Sequence, residues 1–323
     1  MIDCVFTWVD GNDPAWRKKR ASFLTDRHEE NFGDIAGEVR YANGGEIYLA
    51  VASILRFAPF IGRIFVITDG QDPRLDAFVA RHFPGSRVQI ILVDHRVIFE
   101  GYESYLPVFN SLAIETLMWR IPGLSDKFIY MNDDFFFTAP AVEEDFFRQG
   151  KVVCPHPRRP VWAANLLTWI RRRRSDGKKR FTYKDSLRNG STLIGEKSYY
   201  HILHIPLPFR KEILQGYYAH HPEDILLNII HRFRDNAQYN NQQLYLQLVR
   251  REGLLIEEKA PGIAIQLRPS PRKKHYMRRK LREINRMPRL KYACMNALSD
   301  CSEEDRRLFW EWASGLVGVP FEA

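Results

Sequence analysis

Four short apolar runs, CVFTWVD (4–10), RIFVITDG (63–70), VQIILVDH (88–95) and KFIYMNDDFFF (127–137), each reach a carboxylate at or near their end. Runs of that length, rich in branched and aromatic side chains, predict strands buried on both faces. Between them GGEIYLAVASILRFA (44–58), DPRLDAFVARHF (72–83) and NSLAIETLMWRI (110–121) have helical character. Such alternation predicts an α/β fold with a Rossmann-like, mostly parallel sheet flanked by helices. In these sheets ligands bind beyond the carboxyl ends of the strands, where Asp10, Asp69, Asp94 and the pair Asp133 and Asp134 all fall. Any one of them fits a turn or helix cap; together they favour a polar cleft.

The pair stands out because FIYMNDDFFF places it inside an apolar run. An isolated ionised carboxylate is costly to bury and needs a metal, a base or solvent. A polar turn after a strand is an equally common use of adjacent aspartates. Carboxylate oxygens at the end of a sheet strand suit Mg²⁺ or Mn²⁺, which bridges the diphosphate of a nucleotide sugar.

With 323 residues, 45% of them hydrophobic, the chain can bury a large core, and its apolar runs are too short to cross a membrane. The N-terminus reads as a strand that begins at once, without the pattern of a signal peptide. Cys4, Cys154, Cys294 and Cys301 form no CxxC pair and have no histidine at zinc-finger spacing. A reducing cytoplasm is therefore expected. The net charge of +9 is uneven, because residues 268–291 hold eleven Lys or Arg against one Glu. A second cluster, Arg171 to Arg174 with Lys178, Lys179 and Arg180, follows Trp162 and Trp169. Basic residues beside tryptophan suit an anionic membrane surface, with nucleic acid as the competing partner and a solvated face as the bland alternative.

Beyond residue 145 the pattern is less regular. A Trp/Arg-rich insertion runs over about 155–185, a long helical run begins at PEDILLNII, and EEDRRLFWEWASGLV predicts a closing helix. Pro269, Pro271 and Pro288 make 268–290 the expected linker or arm. The expected division is a catalytic α/β domain over 1–265 and a basic, helical C-terminal part over 266–323.

Several blocks taken together resemble the Stealth family: IDCVFTWVDGNDPAW; EVRYANGGEIYLAVASILRFAPFIGRIFVITDGQDPRL with LPVFNSLAIETLMWRIPGLSDKFIYMNDDFFF; LHIPLPFRKEIL; and HRFRDNAQYNNQQLYLQLVRREG. They stand in the family's order over most of residues 2–253. Bacterial members are capsule sugar-phosphate transferases, and a eukaryotic relative is the N-acetylglucosamine-1-phosphotransferase that marks lysosomal enzymes. The resemblance implies a GT-A-like sheet, Mg²⁺ or Mn²⁺, a nucleotide-sugar donor (a UDP-sugar such as UDP-GlcNAc) and an oligosaccharide or polysaccharide acceptor. It puts Asp133 and Asp134 at the metal and diphosphate, with Glu115 close by. Trp8, Val9, Asp10 and Gly11 are implied near the nucleotide, His204 at the reacting centre and Arg234 on phosphate. Arg40, Asn110, Ser111, Asn189 and Arg232 complete the implied substrate-binding set. A capsule enzyme of this kind is expected in the cytoplasm, with peripheral contact on the inner face of the cell membrane and no nucleic acid partner.

Two positions depart from the family pattern. Ala52 stands where an Arg usually precedes Ser53, and Gln238 occupies the slot of an acid a few residues after Arg234. The implied reaction is transfer of a sugar 1-phosphate to a hydroxyl, with His204 as first choice of general base and Glu115 as second. A metal-dependent glycosyltransferase on the same sheet is the rival enzyme. A nucleic-acid-binding module accounts for the basic clusters but not for the carboxylate-ended strands.

Overall fold

The computed structural model describes residues 1–24, 41, 43–163, 166, 183–270 and 273–321. Arg40 and the basic cluster 171–180 with Trp169 lie outside them. The central sheet takes β1 (Ile2–Thr7), β2 (Ile61–Thr68), β3 (Gln89–Asp94) and β4 (Lys127–Asn132), all parallel, in the order 4-1-2-3. The strand Leu207–Arg210 adds antiparallel to the β4 edge. Cys4, Val5, Phe6, Ile64, Phe65, Val66, Phe128, Ile129 and Met131 are all at most 2% exposed, as strands covered on both faces require. The helices Glu46–Phe57, Leu75–His82 and Ser111–Leu117 fall inside the runs read as helical.

The run expected as one strand over 127–137 is two. β4 ends at Asn132, Asp133 and Asp134 form a turn, and β5 (Phe135–Phe137) enters a second sheet, antiparallel to the strand Tyr292–Met295. Ala264–Leu267 completes that sheet. The three phenylalanines serve two cores by strand alternation: Phe135 and Phe137 join the main core, while Phe136 joins the C-terminal cluster with Phe309, Trp310 and Met277. That second cluster also takes Leu49 and Ala52 from the opposite side of the helix Glu46–Phe57. Ala52 is fully buried there, so the small residue in place of the family's Arg is part of the seat for the C-terminal helices.

The segment 268–290 is not a linker. It holds the helix Tyr276–Ile284, whose Tyr276 and Met277 are buried on the closing helix Glu303–Val317. The backbone N–H of Met277 donates to Asp305 Oδ1 at 3.0 Å. The prolines bracket this helix rather than interrupt it, which is where proline is tolerated. The long helical run after residue 222 is also divided: Pro222–Ile229 and Asn241–Arg251 flank a loop that carries Arg232 and Arg234.

Candidate active site

The turn at Asp133 and Asp134 ends β4 because the two flanking strands belong to different sheets. Asp134 Oδ2 accepts from Asn296 Nδ2 at 2.5 Å and from Cys294 Sγ at 3.3 Å, while Oδ1 is buried without a hydrogen-bond partner among the described residues. The Asn132 side-chain carbonyl beside it is in the same state. Glu46, the first residue of its helix, faces this pair, and its Oε2 accepts from the Gly44 backbone at 2.8 Å. Burial, and then the Asp134 and Glu46 charges, push the Asp133 carboxyl well above the usual range. Burial raises Asp134 to about 6 and, with the Asp134 charge as a smaller contributor, Glu46 to about 7. Among the described residues no group of three His, Cys, Asp or Glu side chains is arranged to hold a metal ion; Asp133 and Asp134, with one oxygen unanswered, offer the two carboxylates that a hard divalent cation takes as oxygen donors.

Glu115 is 3% exposed on the helix Ser111–Leu117. Its Oε1 accepts from Tyr130 at 3.2 Å and its Oε2 from Gln242 at 3.0 Å, and Thr7 in turn bonds Tyr130 at 3.0 Å. Burial raises its carboxyl, and Gln242, Arg234, Ser111 and Tyr130 oppose the rise. Arg234 donates to Ser111 Oγ at 3.0 Å. The Tyr183 phenol feels both Glu115 and Arg234 and is held by Asn240. The same ring lies 6.2 Å from His204, which also packs edge-on against Phe135 at 5.8 Å, one residue past Asp134. Burial, and then the His201 and Arg268 charges, lower the His204 imidazole. His204, Glu115, Ser111, Arg234 and the two aspartates are thus gathered beyond the end of β4.

A neighbouring polar group lies at the heads of β1, β2 and β3. Trp8 follows β1 and hydrogen-bonds Ile67 through its backbone at 2.9 Å, and its indole N–H is buried without a partner. Thr68 Oγ1, Asp69 Oδ2 and both ring nitrogens of His95 are likewise unanswered among the described residues. Burial lowers His95 to about 4 despite Asp69 and Asp94. Gly11 admits no side chain, since a Cβ would lie 2.1 Å from the Tyr41 carbonyl, and its N–H donates to that oxygen at 2.7 Å. Asp10 Oδ1 accepts from the Asn12 backbone and shapes this turn, and Val9 packs on Trp16, Phe109 and Phe233.

Some expected ligands prove to be braces. Asn110 caps its helix through Ala113 and ties down the Arg234 loop through the His231 carbonyl and Gln238. Asn189 donates to the carbonyls of Asn236 and Gln238, both at 2.9 Å. Their amide N–H groups hold the carbonyls of the Arg234 loop, so both residues brace that loop. Arg232 lies over the Phe23 ring at 5.1 Å and donates weakly to the Leu106 carbonyl at 3.4 Å. Gln238, in the family's acid slot, is fully buried and bonds Asn110, Asn228 and the Asp235 backbone, so here that slot holds the loop together. Asp94 caps the turn that follows it and pairs with Arg96, outside the site: three strand spacings, roughly 14 Å, separate β3 from β4. Glu46, Tyr130, Tyr183, Gln242 and Asn296 were not expected. Glu46 reads in sequence as an ordinary first-turn acid, and Asn296 comes from a segment without a motif.

Comparison with known proteins adds the family. The first conserved region of the Stealth proteins matches residues 2–27 and the second matches residues 40–154. The chain is 30% identical over 243 residues to the capsular polysaccharide phosphotransferase LcbA of Aeromonas hydrophila, covering 74% of this chain and 62% of the relative. It is 29% identical over 240 residues to the capsular polysaccharide phosphotransferase cps1A of Actinobacillus pleuropneumoniae, with the same coverage of 74% and 62%. The chain therefore spans less than two thirds of the length of these relatives. Among solved structures, the apo bifunctional glycosyltransferase WbbM shares the fold at a TM-score of 0.51 and 10% identity, over all of this chain and 52% of that one. The sheet is thus of the GT-A kind, mostly parallel with flanking helices. With two of the family's conserved regions matched in order, and with the Asp133–Asp134 turn inside the second, the chain belongs to the Stealth family.

Proposed function

We propose that this chain is a transferase that moves a sugar 1-phosphate from a nucleotide-diphosphate sugar to a hydroxyl of an oligosaccharide or polysaccharide in capsule or exopolysaccharide synthesis. The observation that carries the reading is the buried Asp134 oxygen without a hydrogen-bond partner among the described residues, beside Asp133, with His204 packed on the next residue, Phe135. The likeness to capsular polysaccharide phosphotransferases supports the reaction class.

Asp133 and Asp134 would hold Mg²⁺ or Mn²⁺, which when bound would offset the charge of the donor diphosphate. The acceptor hydroxyl oxygen attacks the sugar-side phosphorus, and the bond from that phosphorus to the bridging oxygen breaks. The nucleoside monophosphate leaves with that oxygen, and the hydroxyl proton passes to a His204 ring nitrogen. Burial keeps that imidazole neutral near pH 7, the form that accepts a proton. Glu115, with both oxygens hydrogen-bonded, is the poorer base and serves to hold Arg234, whose guanidinium meets the transferring phosphoryl group. The polar group of Trp8, Gly11, Thr68, Asp69 and His95 would receive the nucleoside half of the donor, which the unanswered Trp8, Thr68, Asp69 and His95 atoms support. Trp162, 69% exposed at the border of the 171–180 cluster, supports peripheral contact with the anionic inner face of a membrane.

A panel of nucleotide sugars, UDP-GlcNAc first, incubated with Mg²⁺ and short saccharide acceptors tests the reading. Release of the nucleoside monophosphate with a new phosphodiester is expected. The fold shared with WbbM favours a second reading, glycosyl transfer with attack at the anomeric carbon. Release of the diphosphate instead would establish it and overturn the first.

A further inference from the structure

The strands Ala264–Leu267 and Tyr292–Met295 pair in the sheet that carries β5, and nearly all of the basic segment lies between them. One end of that segment reaches the site through Arg268, whose charge is felt by His204. Past the other end, Asn296 bonds Asp134. The cations continue outward from Arg268 along one path. Lys273 Nζ donates to the Arg268 carbonyl at 2.8 Å and lies 4.9 Å from the Tyr276 ring, and Arg279 lies 6.0 Å from the same ring. Tyr276 OH in turn accepts from the Arg268 backbone at 2.7 Å.

Arg279 and Arg282 share a face of the helix Tyr276–Ile284, and Arg286 continues that face past its end, at spacings of three and four residues. The three are exposed, and none has an ion-pair partner among the described residues. They extend the track by roughly 10 Å at the rise of a helix. The opposite face is closed: Tyr276 and Met277 are buried, and Leu281 and Ile284 pack on the same cluster. A helix that enters a membrane interface keeps its apolar face free, and this one has none to offer.

We propose that this track, from Arg268 through Lys273 and Arg279 to Arg286, binds an anionic acceptor glycan that already carries phosphodiesters. The inference rests on the proposed function, because a sugar-phosphate transferase leaves one negative charge per unit added. An acceptor extended by that chemistry becomes a polyanion, and a row of unpaired arginines leading away from the reacting centre is its electrostatic complement.

The test uses the full chain and the triple variant Arg279→Gln, Arg282→Gln, Arg286→Gln, whose positions are exposed and outside the reacting centre. Poly(glycerol phosphate), a phosphodiester polymer, and neutral dextran are titrated without donor. For the five cations of the track, affinity of the wild type for the phosphodiester polymer is expected to fall about 100-fold between roughly 50 and 200 mM salt. The variant is expected to bind it at least tenfold more weakly, with monophosphate release on a short neutral acceptor unchanged. Equal affinity of the two proteins, or equal binding of the neutral polymer, overturns the proposal. So does a tenfold preference for DNA of matched charge, or for anionic vesicles, through the same arginines. Polymer binding uses no turnover. Loss of monophosphate release in the wild type would therefore sink the proposed function alone, and loss of polymer binding would sink this surface alone.

Discussion

Asp3 and Asp134 lie at opposite ends of two neighbouring strands, β1 and β4, and their surroundings are opposite too. Asp3 is fully buried and fully answered: Arg63 donates to its two oxygens at 2.9 and 2.7 Å, and the Ser125 backbone adds a third bond at 2.7 Å. Asp134 has an amide and a thiol on one oxygen and nothing on the other, with Asp133 and Glu46 nearby in place of an arginine. The first arrangement is complete without a ligand. The second is stable only with protons or a cation, and that separates a carboxylate paired within the fold from one with capacity left for a ligand.

The contrast can be broken by substitution. Asp134→Asn is expected to lower monophosphate release by about 10³-fold or more while leaving the fold intact. Undiminished activity of that variant in excess chelator would place the chemistry elsewhere. His204→Ala should lose about 10²–10⁴-fold in turnover with donor affinity nearly unchanged, and the wild type should lose activity at acid pH as the imidazole protonates. Weakened donor binding with the acid limb still present would move the base to Glu115.

At the other end of the sheet, Asp3→Asn should cost about 3 kcal/mol of stability by leaving the Arg63 charge without its carboxylate, with only Gly123 and Ser125 still accepting from it, and with activity per folded molecule retained. Denaturant unfolding beside an active-site titration reads both. Loss of activity in the folded variant would mean that the two carboxylates do not differ in role.

The smallest effect concerns pH. The folded-state values of about 6 for Asp134 and about 7 for Glu46 lie above those of an unfolded carboxyl. The stability they contribute is therefore fully present below the unfolded value and is lost as pH rises through the folded ones. The metal-free protein should lose on the order of 1–3 kcal/mol between about pH 4.5 and 7.5 from this source. Mg²⁺ should restore part of it, Asp134→Asn or Glu46→Gln should flatten the slope, and Asp3→Asn should leave the slope in place. Thermal melts across that range decide it. A slope that survives Glu46→Gln unchanged would remove Glu46 from the cluster.

The parallel strands, their order of appearance and the chemical nature of the Asp133–Asp134 position are legible in the residues alone. Apolar runs capped by carboxylates leave few other folds, because period and burial are local properties. The same locality misleads at 127–137 and 268–290. An apolar run does not reveal that its two halves join different sheets, and a basic, proline-flanked segment does not reveal that Tyr276 and Met277 are buried under it.

What the sequence determined by itself is the α/β class, the resemblance to the Stealth proteins, and the candidates (the carboxylates, His204 and Arg234) on which the proposed reaction rests. Only the tertiary structure decided which polar residues remain free to act. Asn110 and Asn189 read as substrate contacts until the loop carbonyls they hold are seen, and Glu46 and Asn296 look ordinary until the fold brings them towards Asp134. The reason is physical: residue type sets what a side chain can donate or accept, whereas its availability depends on neighbours up to 162 positions away along the chain.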